Sequence, residues 1–411
     1  MNRRKFIGKS MAASAAVITS ASVRGANDRI VVANIGCGRR DLLGELIELR
    51  ETGGIEIHTV CDTWRQKRER AAQRVADSTG STPQQAVRYQ EVLEREDIDA
   101  VLIGTPDHQH CTMLIDAIKA GKHVYVEKPL AMNMAELNRA YDVVKSSNQI
   151  VQLGTQMRSY PTSNGAREFI QASKLGKILK VEQARNGYMP YWMSYGGPEF
   201  FAEKPTPSDV DWEGFQMNAA PRPFDPSRYQ NWYGYREYSK GPHTNLAVHF
   251  IDLVHYVNDL EPPEKVVAFG GTYRWKNEFT VPDSVEMILH YKEDLLVRYT
   301  TVFGNGANTF AKWFGTLGTI DAQRLSSETP WIASGDGSGE PDKLGEMIEL
   351  PKASMPHHMQ NWFDSIRSGR QPVAPIEAGY RHSVAVLMAE EAMRTGNRMT
   401  FDPLKREIKA G

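Results

Sequence analysis

Ile30-Val31-Val32-Ala33-Asn34-Ile35, followed at once by Gly36-Cys37-Gly38, is the stretch whose reading decides the fold. A mostly apolar run this short, closed by glycines, reads as a strand buried on both faces, which is the habit of parallel sheets. Glycines placed directly after such a strand let backbone amides approach a pyrophosphate at the N-terminus of the next helix. The third glycine of a G-x-G-x-x-G fingerprint would fall at position 41, where Asp41 stands and would crowd the helix–strand contact. G-x-G alone suits a plain tight turn equally well. Asp62 strengthens the dinucleotide reading. It ends the second apolar run, 24 residues after Gly38, where an acid accepts hydrogen bonds from ribose hydroxyls and repels a 2′-phosphate. NAD is therefore favoured over NADP, although Arg65 and Arg68 lie near enough to soften that preference. Capping of the next helix is the alternative role for Asp62.

Outward from this stretch, strand patterns at 30–35, 55–61, 99–104, 123–127 and 150–153 alternate with helical ones such as 65–78 and 111–119. That alternation predicts a doubly wound parallel sheet, a Rossmann-type α/β domain over 29–152. The run His123-Val124-Tyr125-Val126 closes on Glu127-Lys128-Pro129, which puts an ammonium at the carboxyl lip of a strand, where open α/β sheets bind ligands. From about Lys177 the strands lengthen and alternate polar with apolar, at 178–186, 264–274, 284–291, 295–303 and 310–322. Lys292-Glu293-Asp294 reads as a hairpin turn. An α+β domain over 153–403 follows, with a large, mostly antiparallel open sheet solvated on one face. Helices return at 243–258, 356–368 and 377–396, and the last two are free to pack back on the first domain. Residues 187–242 are rich in Pro, Gly and aromatics without periodicity, and a loop of that length is usually functional.

Charge is balanced, 49 Lys+Arg against 50 Asp+Glu, which gives no electrostatic reason for a nucleic-acid or anionic-membrane partner. Cys37, Cys61 and Cys111 are widely spaced, fit neither a metal nor a disulfide framework, and read as buried thiols. Asn2-Arg3-Arg4-Lys5-Phe6-Ile7 resembles a twin-arginine export signal. The Ala- and Ser-rich stretch Met11–Val23 after it is too short and too weakly apolar for stable membrane insertion. Residues 1–26 are thus expected to be a signal, cleaved after Ala21 or Ala26, that sends the folded chain to the periplasm through transient contact with the twin-arginine machinery.

The chain as a whole resembles the Gfo/Idh/MocA oxidoreductases. The carriers are Ile35-Gly36-Cys37-Gly38, Cys61-Asp62, Gly104-Thr105-Pro106-Asp107-His108-Gln109-His110, Glu127-Lys128-Pro129-Leu130, Gly154-Thr155-Gln156, His249-Phe250-Ile251-Asp252, Gly315-Thr316-Leu317-Gly318 and Glu377-Ala378-Gly379-Tyr380-Arg381-His382-Ser383. The resemblance implies that Thr105, Pro106 and His110 line the nicotinamide ribose with Glu127 close by, and that Gln156 approaches the nicotinamide. With Gly36, Cys37, Gly38, Arg39 and Asp62 these are the cofactor-binding candidates.

Oxidising a secondary alcohol moves a hydride to the cofactor and a proton to a base. Lys128 is the candidate for bonding the reacting oxygen, and His249 for taking the proton. The family usually carries Asp four residues before that histidine; here Asn245 stands there, which cannot raise the imidazole pKa by charge but can orient it. Asp252 is placed to compensate in part. His243, His249 and His255 lack a metal-binding pattern, so no catalytic metal is expected. Aromatic side chains suit sugar C–H faces, which makes Tyr188, Trp192 and Tyr235, together with Arg158 and Asp252, the substrate-binding candidates. Arg185 is a further candidate for a hydroxyl or carboxylate. The expected activity is hydride exchange between a hydroxyl of a sugar, sugar acid or cyclitol and tightly held NAD, with NADP the alternative cofactor. Redox-neutral glycoside cleavage through transient oxidation is the second reading, and a non-catalytic sugar-binding protein the third. The open sheet face points to a homo-oligomer.

Overall fold

The structure is a computed structural model that describes residues 29–38, 40–189, 204–276 and 279–411. The export-signal segment, Arg39 and Trp192 lie outside the described residues.

Six strands form the first sheet: β1 Ile30–Ile35, β2 Ile55–Cys61, β3 Gln84–Ala86, β4 Ala100–Ile103, β5 His123–Val126 and β6 Val151–Leu153. All pairs are parallel, in the order β3-β2-β1-β4-β5-β6, the doubly wound arrangement. Every residue of β4 is buried, as a strand covered on both faces must be. The short β3 has too little apolar character to register in the sequence pattern.

The second sheet has ten strands: β7 Ile178–Tyr188, β8 Lys265–Gly271, β9 Ser284–Tyr291, β10 Leu295–Val302, β11 Gly304–Gly315, β12 Thr319–Ala322, β13 Ile332–Ser334, β14 Ile348–Glu349, β15 Met399–Asp402 and β16 Glu407–Ala410. Its order is β14-β13-β12-β11-β7-β10-β9-β8-β15-β16, antiparallel except for the parallel pair β7–β10. The hairpin at Lys292-Glu293-Asp294 joins β9 to β10. The single strand expected over 310–322 is instead the hairpin β11–β12, because the chain turns at Thr316-Leu317-Gly318 with the Gly315 amide on the Gly318 carbonyl at 2.8 Å.

The helix Ala247–Asn258 packs on the inner face of this sheet, where Gln183 Nε2 donates to the Phe250 carbonyl at 3.0 Å. The helix His358–Ser368 returns to the first domain: Met359, Trp362 and Phe363 share a core with Ile30, Val32, Leu42 and Ala100. The helix Ile376–Thr395 seats Tyr380, Val384 and Leu387 in the main core with Leu130, Leu153 and Val266, bridging the two sheets.

Candidate active site

A cavity of about 1040 Å3 runs along the carboxyl ends of β1, β2, β4, β5 and β6 and reaches the helix Ala247–Asn258 and the ends of β7, β11 and β12. Gly36, Gly38, Asp62, Thr105, Pro106, His110, Glu127, Lys128, Gln156, Asn245 and His249 all line it.

Its dinucleotide end is built from backbone. Gly36 has φ +92°, and a Cβ there would lie 2.7 Å from the Gly104 carbonyl group, so only glycine lets β1 and β4 leave the sheet this close together. A Cβ at Gly38 would meet only the Lys67 ammonium at 3.8 Å, which leaves open space of the kind a diphosphate needs. Asp62 accepts from the Cys37 and Trp64 amides, each at 2.8 Å, and so fixes the glycine turn as well as facing the cavity. Asp41 does not crowd the helix contact. Its carboxylate turns outward, caps the helix Leu42–Glu48 at the Gly44 amide (3.1 Å) and pairs with Arg74. Arg65 is paired with Asp209, and Arg68 Nη1 is committed to the Asp62 carbonyl at 2.8 Å. Cys37 falls on a smaller neighbouring cavity of about 240 Å3, and burial and the Asp62 charge push its thiol pKa up.

Glu127 is buried at the lip of β5. It accepts from Gln156 Nε2 at 2.9 Å and pairs with Arg40 at 3.4 Å. Gly154 on the next loop has room for nothing else, since its Cβ would sit 2.7 Å from that carboxylate. The Lys128–Pro129 bond is cis. The His110 ring lies between the Pro129 and Thr105 carbonyls, 2.8 Å from each, and ties the loop after β4 to the loop after β5. His108 lies off the cavity wall, with Nε2 on the Phe215 carbonyl at 2.9 Å and its ring against Tyr238.

Lys128 Nζ donates to the Asn245 carbonyl and to Asn245 Oδ1, each at 3.0 Å. The backbone bond exists because the helix expected over 243–258 is broken. It runs as Pro242–Asn245 and Ala247–Asn258, and the His249 amide bonds the Leu246 carbonyl at 3.1 Å, which leaves that of Asn245 free for the lysine. Asn245 Nδ2 donates to Asp107 Oδ1 at 2.7 Å, and Ser239 Oγ donates to Asp107 Oδ2 at 2.7 Å. Lysine only donates and a carboxylate only accepts, so this pair fixes which way the Asn245 amide faces. Burial pulls the Lys128 pKa down, against the pull of Glu127 and Asp107. Burial raises Asp107 to about 7, with the Lys128 charge opposing. His249 is held well below its ordinary value by burial first and by the Lys128 charge second, so its ring is neutral. Its Nδ1 is buried without a hydrogen-bond partner among the described residues.

The substrate-binding candidates fare differently. Arg158 and Asp252 face each other in a buried two-point ion pair, Nε–Oδ2 2.7 Å and Nη2–Oδ1 2.9 Å, with His382 Nδ1 on the same carboxylate at 2.9 Å. Neither is part of the cavity wall. Asp252 spends its oxygens there and makes no bond to His249. Tyr188 is exposed under the Arg274 guanidinium, and Tyr235 is packed against Arg228 and Phe279, both off the cavity. The aromatic wall is made instead by Tyr229, Trp232, Tyr233 and Tyr160. His243 faces Glu390 at 2.9 Å and His255 faces the Tyr291 hydroxyl at 2.8 Å, so the three histidines serve separate sites. Asp107 and Arg40 were not singled out by sequence reasoning. Asp107 carried a usable signal, a carboxylate four residues past the end of β4 in a chain that lacks the acid at 245.

Residues 30–155 match the oxidoreductase family, NAD-binding Rossmann fold, and residues 215–401 match the C-terminal α/β domain of the same family. The chain belongs to the Gfo/Idh/MocA oxidoreductase family. Its first domain is therefore an NAD-binding Rossmann domain, and the glycine cradle described above fits that cofactor. The scyllo-inositol 2-dehydrogenase (NAD(+)) of Bacillus subtilis (strain 168) is 39% identical over 322 residues, 76% of this chain and 80% of that protein. The glycosyl hydrolase family 109 protein 1 of Shewanella sp. (strain MR-4) is 31% identical over 122 residues, 29% of this chain, and the chain spans only 26% of its length. In fold, a levoglucosan dehydrogenase solved with NADH and levoglucosan superposes with a TM-score of 0.66 at 17% identity, covering 93% of this chain and 99% of that one.

Proposed function

We propose that the protein oxidises a secondary hydroxyl of a sugar, sugar acid or cyclitol, or runs the reverse reaction, with NAD as the hydride carrier. One observation carries the reading: Lys128 and His249 line the same cavity as Gly36, Gly38 and Asp62. Bound NAD supplies a hydride acceptor. An ammonium has three N–H groups, and two of those on Lys128 are spent on Asn245, which leaves one for the reacting oxygen as it gains alkoxide character. The neutral His249 imidazole takes the hydroxyl proton. Asp107 acts through Asn245 as a positioning residue, and its charge helps keep Lys128 protonated. The occupied guanidinium groups of Arg65 and Arg68 support a preference for NAD over NADP.

A panel of neutral and acidic carbohydrates, followed by NADH absorbance with the purified protein, tests this. Turnover abolished by Lys128→Ala supports it; undiminished turnover in that variant overturns it. Release of an aglycone without net NADH would move the reading to redox-neutral glycoside cleavage. The reading extends to export by the twin-arginine route, supported by Asn2-Arg3-Arg4-Lys5-Phe6-Ile7, and to a homo-oligomer. The solvent face of β8–β10 supports the latter by presenting Phe269, Ile288 and Leu296.

A further inference from the structure

The end of the cavity remote from the glycine cradle carries a charge pattern of its own. Strands β7, β11 and β12 lie side by side. Arg185 pairs with Thr309 across β7–β11, and Ala311 with Ala322 across β11–β12. β12 ends at Ala322, and Arg324 follows two residues later in the bend beyond it. Arg185 and its cross-strand partner Thr309 share one face, and Arg324 joins them at the cavity wall. It is the face that carries Gln183 toward the helix Ala247–Asn258, and all three residues line the cavity together with His249.

Among the described residues, no acid pairs with Arg185 or Arg324. Arg185 Nη1 donates to the Asn186 carbonyl at 2.9 Å and to Thr309 Oγ1 at 3.4 Å, which satisfies part of its fork and none of its charge. Arg324 is exposed and has no hydrogen-bond or ion-pair partner among the described residues. The acids that line the cavity lie elsewhere: Asp41, Asp62, Asp107 and Glu127 belong to the strand ends of the first sheet, and Glu213 pairs with Arg88 at 3.1 Å. Backbones two strands apart are separated by about 10 Å, a gap that two arginine side chains close around one oxyanion.

We propose that the substrate is an acidic sugar, whose carboxylate or phosphate oxygens are held by Arg185 and Arg324 with the Thr309 hydroxyl between them, while the ring hydroxyl to be oxidised faces Lys128 and His249. The proposal rests on the dehydrogenase reading for its chemistry and on the row of three residues for its specificity.

The test compares a neutral hexoside, the matching hexuronide and the matching 6-phosphate on the full chain with NAD. Turnover is read by NADH absorbance and binding by quenching of tryptophan fluorescence, since Trp232 lines the cavity. One of the two acidic sugars is expected to exceed the neutral one by roughly 10- to 100-fold, the range of a hydrogen bond to a charged group; which one does identifies the oxyanion. Arg324→Gln and Arg185→Gln should each collapse the acidic-to-neutral ratio, and Arg324→Lys should restore part of it. The ratio is internal to each variant, so it is indifferent to partial loss of folded protein. A neutral sugar bound and oxidised as well as both acids, or a ratio unmoved by both glutamine variants, overturns the proposal and leaves the dehydrogenase reading standing. Arginine-dependent binding of an acidic sugar with no NADH formed from any sugar does the reverse.

Discussion

Asp107→Asn is the most informative single substitution. The carboxylate lies one asparagine amide away from Lys128, through contacts of 2.7 Å and 3.0 Å. At roughly 7 Å and an effective dielectric constant of about 20, a unit charge there is worth ~2 kcal/mol to the ammonium. Its removal should lower the Lys128 pKa, already depressed by burial, by roughly one and a half to two pH units. Kinetic runs of kcat/KM against pH should show the alkaline limb displaced downward by that amount. At a pH between the two limbs the variant should be about tenfold or more slower, and near pH 6 the two proteins should converge. Stability should move the other way. Burial raises the folded-state pKa of Asp107 to about 7, whereas an unfolded aspartate titrates near 3.8. The folded state therefore binds the proton more tightly, and stability falls as pH rises between those values, by up to about 4 kcal/mol. The asparagine cannot ionise, so at pH 8 the variant should melt at a higher temperature than the parent, with the gap closing near pH 4. An unmoved alkaline limb, or a variant no more stable at pH 8, would refute the assignment of Asp107 as the charge that supports Lys128.

Two further outcomes follow from the geometry. Gly36→Ala sets a methyl group 2.7 Å from the Gly104 carbonyl at a φ of +92°, so NAD affinity measured by calorimetry should fall by tenfold or more, with a lower melting temperature. Asp252→Asn removes one partner of a buried ion pair and leaves the Arg158 charge uncompensated, at a cost of about 3–5 kcal/mol in denaturant titration. The Asp252 carboxyl is held far below its ordinary value, with burial opposing the Arg158 and His382 contacts, so the stabilisation is complete above about pH 4 and is lost only in stronger acid. Among molecules still folded, substrate KM should change little.

Much of the fold is legible in the sequence because the signals are local. The run 30–35 with its glycines, the acid at 62 and the lysine at 128 each mark a strand end, and in a doubly wound sheet strand ends converge on one crevice. What escapes the sequence depends on distance. Arg158 lies beside one family motif and Asp252 within another, and both read as ligand contacts. Only the packing of the helix Ala247–Asn258 against the turn at 156–159 brings them into a closed pair. Tyr188 and Tyr235 carry the right chemistry for a sugar, but the path of the loop spends them elsewhere and hands the wall to Trp232 and Tyr233. The break at Leu246 has no glycine or proline between His243 and His249 to announce it, yet it frees the carbonyl that holds Lys128.

A structure of the protein with NADH bound would show at once whether Lys128, His249 and the glycine cradle serve one ligand. The diphosphate should lie over Gly36 and Gly38, the adenine ribose at Asp62, and nicotinamide C4 within hydride-transfer reach of a pocket bounded by Lys128 Nζ and the His249 ring. A dinucleotide whose nicotinamide points away from Lys128 and His249, or a cavity that admits no dinucleotide at all, would contradict this placement.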